Sequence, residues 1–178
     1  AKEAKARKPA EEAKAKKETF TKEQQKAFAE KVLKTISGKK GKINDVINVT
    51  IEEETDPEIR KILEKVKKLV LTTTVKTGKV KGKPGAMGML NIGEFDPATN
   101  TITYDPDFLN RNTTVHEIVH AAISKVLLNP NHPLTKEFTK LFDSVYNQLG
   151  SSYGALDIHE FAAELISNPE FQATLKAI

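Results

Sequence analysis

His116-Glu117-Ile118-Val119-His120 gathers two imidazoles and a carboxylate within five residues. On a helix, positions i and i+4 share one face about a turn apart, so both rings can converge on a single metal ion. Glu117 falls about 100° round from His116, beside such an ion but out of line to ligate it. That position suits a general base that takes a proton from water polarised by the ion. The context is helical: Val115, Ile118, Val119, Ala122 and Val126 supply an apolar surface, and Thr113 and Thr114 are candidate N-caps. A capping box between Thr114 and Glu117 would use the same carboxylate. Two histidines at helical spacing favour the metal.

A catalytic zinc of this kind needs a third protein ligand. The chain has no Cys, which leaves His, Asp or Glu. The longer H-E-x-x-H-x-x-G-x-x-H layout is excluded, because the position its third His would take is Val126. The later candidates in a helical context are His159, Glu160 and Glu164, of which Glu160 and Glu164 are again i and i+4. Their flanks, Phe161-Ala162-Ala163 and Leu165-Ile166, are apolar, and a carboxylate buried there without a partner is costly. A nearby cation would remove that cost. His132, between Asn131 and Pro133, reads as an exposed loop residue.

Composition narrows the rest. At 178 residues and 19.7 kDa the chain accommodates one domain and a tail. Without Cys, disulfides, iron–sulfur clusters, Cys-ligated zinc and thiol nucleophiles are out. The net charge of +4 sits entirely in residues 1–17, which hold seven Lys/Arg against three Glu and leave 21 basic against 21 acidic residues elsewhere. Nucleic acid is therefore not an expected partner, except weakly through that tail. Residues 1–18 read as a basic, low-complexity, disordered tail ahead of a domain over 19–178. No run approaches about 18 apolar residues and no charged-then-apolar leader opens the chain, so a cytoplasmic or virion-associated protein is expected, not a membrane one.

The elements that must position these groups can be read in order. Thr21 with Gln24 has capping-box spacing ahead of a helical face of Phe28, Val32, Leu33 and Ile36, with Gly38 as the stop. Lys39 to Lys42 reads as a loop. Alternation of Ile47, Val49 and Ile51 predicts a strand over 45–53. Asp56-Pro57 opens a helix with Ile59, Ile62, Leu63, Val66 and Leu69 as its buried stripe. Residues 70–77 are β-branched and predict a strand, followed by a loop from Gly78 to Gly85. Strands over 86–95 and 101–105 flank the turn Asp96-Pro97-Ala98-Thr99-Asn100. Helices follow over 114–128, 134–149, 157–167 and 169–177. The order is mixed early and helical late, an α+β domain.

Tyr153-Gly154 and Glu160-Phe161-Ala162-Ala163-Glu164, coming after an H-E-x-x-H helix and before Asn168-Pro169-Glu170-Phe171, resemble two related groups. One is anthrax lethal factor and its zinc-peptidase relatives; the other is the metallopeptidase domains of bacteriophage large polyvalent proteins. The resemblance spans about residues 86–178. It implies a zincin-like α+β fold, with a small twisted sheet of about four strands packed on the H-E-x-x-H helix. It implies one zinc ion per chain held by His116, His120 and Glu160, with Glu117 as general base. It also implies that Glu164 holds His116 through its other ring nitrogen, and that Tyr153, seven residues before Glu160, donates to the oxyanion. One departure is His159, which stands beside the ligand position.

The expected activity is zinc-dependent hydrolysis of peptide bonds in a peptide or protein substrate, with other phage proteins as possible partners. In zincin folds an edge strand near the metal pairs with extended substrate. Here that strand would be 86–95, with Met87 and Met89 among Gly85, Gly88 and Gly93. The alternative is a non-enzymatic virion or interaction protein that keeps the fold. Glu117 together with Tyr153 weighs against it, because structural metal binding needs neither. A nucleic-acid-binding module is the weaker alternative, since residues 18–178 carry no net charge.

Overall fold

A computed structural model describes residues 20–36, 41–80 and 93–178. The tail over 1–18, Gly38, Gly85 and most of the 86–95 segment, including Met87, Met89 and Gly88, lie outside the described residues. Within them the chain is mixed α/β, with seven α-helices and one four-stranded sheet. The order is α1 (Lys22–Thr35), β1 (Gly41–Lys42), α2 (Ile43–Glu53), α3 (Pro57–Val66), β2 (Thr74–Thr77), β3 (Gly93–Asp96), β4 (Thr101–Tyr104), α4 (Arg111–Leu127), α5 (Pro133–Leu149), α6 (Ile158–Ser167) and α7 (Pro169–Lys176).

The sheet order is β1-β2-β4-β3, with β2 and β4 parallel and the two outer pairs antiparallel. The β3–β4 hairpin forms as its turn residues predict. Asp96 accepts from the Ala98 N–H at 2.9 Å and the Thr99 hydroxyl at 2.6 Å, and Asn100 takes the left-handed conformation at φ 49°. That turn leaves β3 on the edge of the sheet among the described residues, beside α4.

Four expectations are corrected. Residues 45–53 are not a strand but most of α2. Ile43, Val46, Ile47 and Thr50, at i, i+3, i+4 and i+7, are its buried face, and Thr50 donates back to the Val46 carbonyl at 2.7 Å. The alternation of Ile47, Val49 and Ile51 overlies that helical set, and packing against α1 and α4 decides between the two periods. The strand expected over 70–77 is only Thr74–Thr77, with Val70 buried at a turn closed by the Thr73 N–H and Leu71 exposed; Leu69, expected in the buried stripe of the preceding helix, is exposed too, because α3 ends at Val66. Gly41–Lys42, read as loop, supplies the fourth strand instead.

The main core runs from α1–α3 through Val75, Ile102 and Tyr104 to Val115, Ile118 and Val119 of α4. A second apolar cluster, Leu149, Phe161 and Phe171 with Phe138, Phe142 and Val145, joins α5, α6 and α7. Ala163 of α6 belongs to the first cluster and Phe161 to the second, so α6 is clamped between them. Among the described residues no helix is long and apolar enough to cross a membrane.

Candidate metal centre

α4 begins one turn earlier than expected. Its N-cap is Asn110, whose side chain accepts from the Thr113 N–H at 3.0 Å, so neither Thr113 nor Thr114 caps it. Thr114 instead donates to the Asn110 carbonyl at 2.8 Å, and the Thr114–Glu117 capping box does not form. Two buried contacts hold the start of α4. Arg111 pairs with the fully buried Glu54, and the Tyr104 hydroxyl donates to the Thr114 carbonyl at 3.3 Å. With its register held there, α4 turns His116 and His120 toward α6 and Glu117 toward β3.

α6 is set by a cap as well. Asp157 accepts from the N–H groups of His159 and Glu160 at 2.8 and 2.9 Å. Glu160 therefore stands in the first turn, where the helix dipole favours a negative charge. Ala162 and Ala163 on α6, with Ala121 and Ala122 on α4, are buried and small. Side chains that short let two helices approach closely enough for groups 44 residues apart to meet.

His116 Nε2, His120 Nε2 and one Glu160 oxygen form a triangle with sides of 3.0, 3.0 and 3.2 Å. A tetrahedral zinc with bonds of about 2.0–2.2 Å separates its ligands by about 3.3–3.6 Å. The three atoms would have to spread by only a few tenths of an ångström to accept one. The donor set, two imidazoles and a carboxylate, is also one that zinc takes, and the residues fit the ion. His159 is not part of the group, and His132 caps α5 through Nδ1, accepting from the Leu134 N–H at 3.2 Å.

The charges around the triangle are balanced by proximity. Burial opposes a proton on His116, but the carboxylates of Glu160 and Glu164 outweigh it and push its pKa up to about 10. Burial raises the Glu160 carboxyl, yet the two histidines overcome that and bring it down to about 2. A proton shared in this way occupies the place that a cation would take. Glu164 has one oxygen 3.2 Å from His116 Nδ1.

Glu117 is 6% exposed and packs under β3. Burial lifts its carboxyl above the ordinary value, against the pull of both histidines, the direction a base working near neutral pH requires. Tyr153 lies in a short 3-10 turn, Tyr153–Ala155, with its ring 5.9 Å from that of His116. Burial raises its hydroxyl's pKa, and it is hydrogen-bonded to Glu160.

Three residues matter more than their types announced. Gly93 makes room for Glu117: a Cβ there would stand 2.8 Å from Glu117 Cγ and from Thr113 Cγ2. Gly154 seats the Tyr153 turn on Phe171, whose ring would lie 2.4 Å from an added Cβ. Ser167 brings its hydroxyl within 3.4 Å of His116 Nδ1. In the sequence Gly93 stands out only as a small residue of the 86–95 segment and Gly154 only as the neighbour of Tyr153, neither with a sign of the contact it permits, and Ser167 carries no signal. The shallow depression lined by Thr135, Lys136, Thr139 and Asp143 on α5 includes none of these groups. No family model, curated protein or solved structure matches the chain.

Proposed function

We propose that this domain is a zincin-type zinc metallopeptidase with His116, His120 and Glu160 as the ligands of one Zn2+. The single observation that carries the reading is the triangle of two Nε2 atoms and a carboxylate oxygen, 3.0–3.2 Å on a side, with the buried Glu117 next to His116 on α4. The ion, when bound, would supply Lewis-acid polarisation of the scissile carbonyl and of water.

The remaining chemistry falls to the chain. Glu117 accepts the proton of the attacking water at its carboxylate and passes it to the leaving amine. The Tyr153 hydroxyl, which now hydrogen-bonds Glu160, donates to the developing oxyanion; such a donor is typically worth about 2.7–4 kcal/mol. Glu164 holds the His116 ring from behind, so that Nε2 stays aimed at the cluster. β3, the edge strand beside Glu117, offers backbone groups to an extended peptide, which would lie across the base.

The test is metal content and cleavage together. Purified chain should hold about one zinc per molecule and cut members of a peptide library, and chelation should abolish both. A His116→Ala/His120→Ala double variant that still carries stoichiometric zinc refutes the ligand set. Stoichiometric zinc with no cleavage of any library member favours a binding protein that has kept the fold.

A further inference from the structure

Asn168 closes α6 and opens α7 at once. Its backbone N–H donates to the Glu164 carbonyl at 2.9 Å, and its side-chain oxygen accepts from the N–H groups of Glu170 and Phe171 at 2.9 and 3.2 Å. Those two donors claim the carbonyl end of the amide, so the nitrogen end must face the other way. It does so toward Glu164, with Nδ2 donating to one carboxylate oxygen at 2.7 Å. The other oxygen of that carboxylate lies 3.2 Å from His116 Nδ1. A continuous line therefore runs from the first turn of α7 through Asn168 and Glu164 to the ring whose far nitrogen joins the triangle.

We propose that Asn168 is a positioning residue for the metal centre, fixing the Glu164 carboxylate so that it orients His116. The proposal rests on the reading of His116 as a ligand. Glu164 could otherwise turn about its own side-chain bonds. The second group near His116 Nδ1, the Ser167 hydroxyl, is farther off at 3.4 Å and donates to the Ala163 carbonyl at 2.7 Å. With its proton committed to Ala163, Ser167 can only accept from that ring nitrogen, and at 3.4 Å a neutral hydroxyl is the weaker acceptor beside the Glu164 carboxylate at 3.2 Å. The docking of α7 thus becomes a condition for ligand geometry, although no α7 side chain enters the cluster.

Two substitutions separate this role from simple capping. Asn168→Asp keeps the shape and caps a helix equally well, but turns a carboxylate instead of an N–H toward Glu164. Asn168→Ser also caps, but is too short to reach. Each is made in the full chain, alone and with Glu164→Ala. Zn2+ affinity is read by chelator competition, folding by thermal melting, and the His116 ring by 15N resonances in metal-free protein.

Both single variants should melt near the parent, bind Zn2+ about tenfold more weakly, the lower end of what outer partners of a ligand contribute, and shift the His116 ring signals. With Glu164→Ala already present, neither should lower affinity further. Unchanged Zn2+ affinity, an equal loss without Glu164, or a loss that only tracks the melting temperature in both variants overturns the proposal. If the parent binds no Zn2+, the proposed function fails. The metal-free ring signals then decide Asn168 alone: a shift that requires Glu164 supports the line of contacts, and an unmoved ring overturns it.

Discussion

Replacing Gly93 by Ala perturbs the proposed base without touching any ligand. The added Cβ would stand 2.8 Å from Glu117 Cγ and Thr113 Cγ2 and 3.1 Å from a Glu117 carboxylate oxygen. Ordinary contact begins at 3.4 Å, so about 0.6 Å must be recovered by moving α4 side chains, β3 or both. Thr113 lies in the first turns of α4, which the Arg111–Glu54 pair holds, so the yielding group is the Glu117 side chain. Overpacking at such a site costs about 1–3 kcal/mol of stability. A misplacement near 1 Å in a reacting group costs on the order of 100-fold in rate, so about 0.6 Å should lower turnover by roughly tenfold or more. The nearest atoms to the added Cβ belong to Glu117 and Thr113 and to none of the proposed ligands, so zinc content should stay at the parent level. Turnover on a cleaved peptide, with zinc measured on the same samples and folding followed by denaturant titration, reads all three quantities. A Gly93→Ala chain that cleaves at the parent rate with full zinc would show that Glu117 is not the group taking the proton.

The three site carboxylates should fail differently: Glu117→Gln keeps zinc and loses at least about 100-fold in turnover, Glu160→Ala sheds zinc, and Glu164→Ala costs about 10–100-fold in affinity or activity. Metal content beside hydrolysis rates checks this, and Glu117→Gln shedding zinc while Glu160→Ala retains it would reverse the assignments. His116 holds its proton up to about pH 10 in the metal-free chain, and zinc must displace that proton. Affinity should therefore fall about tenfold per unit as pH drops from 8 to 6, and a flat chelator-competition profile over that range refutes it. Glu54→Ala strands a buried Arg111 at the head of α4 and should cost about 3–5 kcal/mol in denaturant titrations, with part recovered when Arg111→Met is added.

The parts of this molecule that could be read beforehand are those whose determinants are local. The spacing of His116 and His120 is a property of any helix, and the helical pattern of the late chain foretells α4 to α7 to within a turn. The turn Asp96–Asn100 carries its own hydrogen-bonding side chains. α2 was misread for an equally physical reason. Ile47, Val49 and Ile51 alternate as a strand would, Ile43, Val46, Ile47 and Thr50 fit a helical period, and only burial against α1 and α4, invisible in a single sequence, chooses the helix. The sheet then has the expected number of strands with a different member, because two residues at Gly41–Lys42 pair with β2 in a stretch with no strand pattern of its own. Thr113 and Thr114 are good caps by type, but Asn110 lies where the chain turns away from β4, and geometry prefers it.

For the candidate site the division is sharper. Spacing alone brings two histidines to one face; it says nothing of a carboxylate 44 residues later, and only the family resemblance puts Glu160 ahead of Glu164 and His159 in the sequence. What separates them is the cap at Asp157. It starts α6 so that Glu160 meets both Nε2 atoms, Glu164 falls one turn behind against His116 Nδ1, and His159 is left outside the cluster. Shifting that cap by one residue would rotate α6 by about 100° and bring His159 or Phe161 to the place Glu160 now holds. Which side chain completes the cluster with His116 and His120 is thus decided by an aspartate outside the cluster. Similarly, room for Glu117 is decided by a glycine on β3, whose only contribution is the atom it lacks. A metal centre of this kind is specified as much by the caps and gaps that orient its helices as by the residues that would bind the ion.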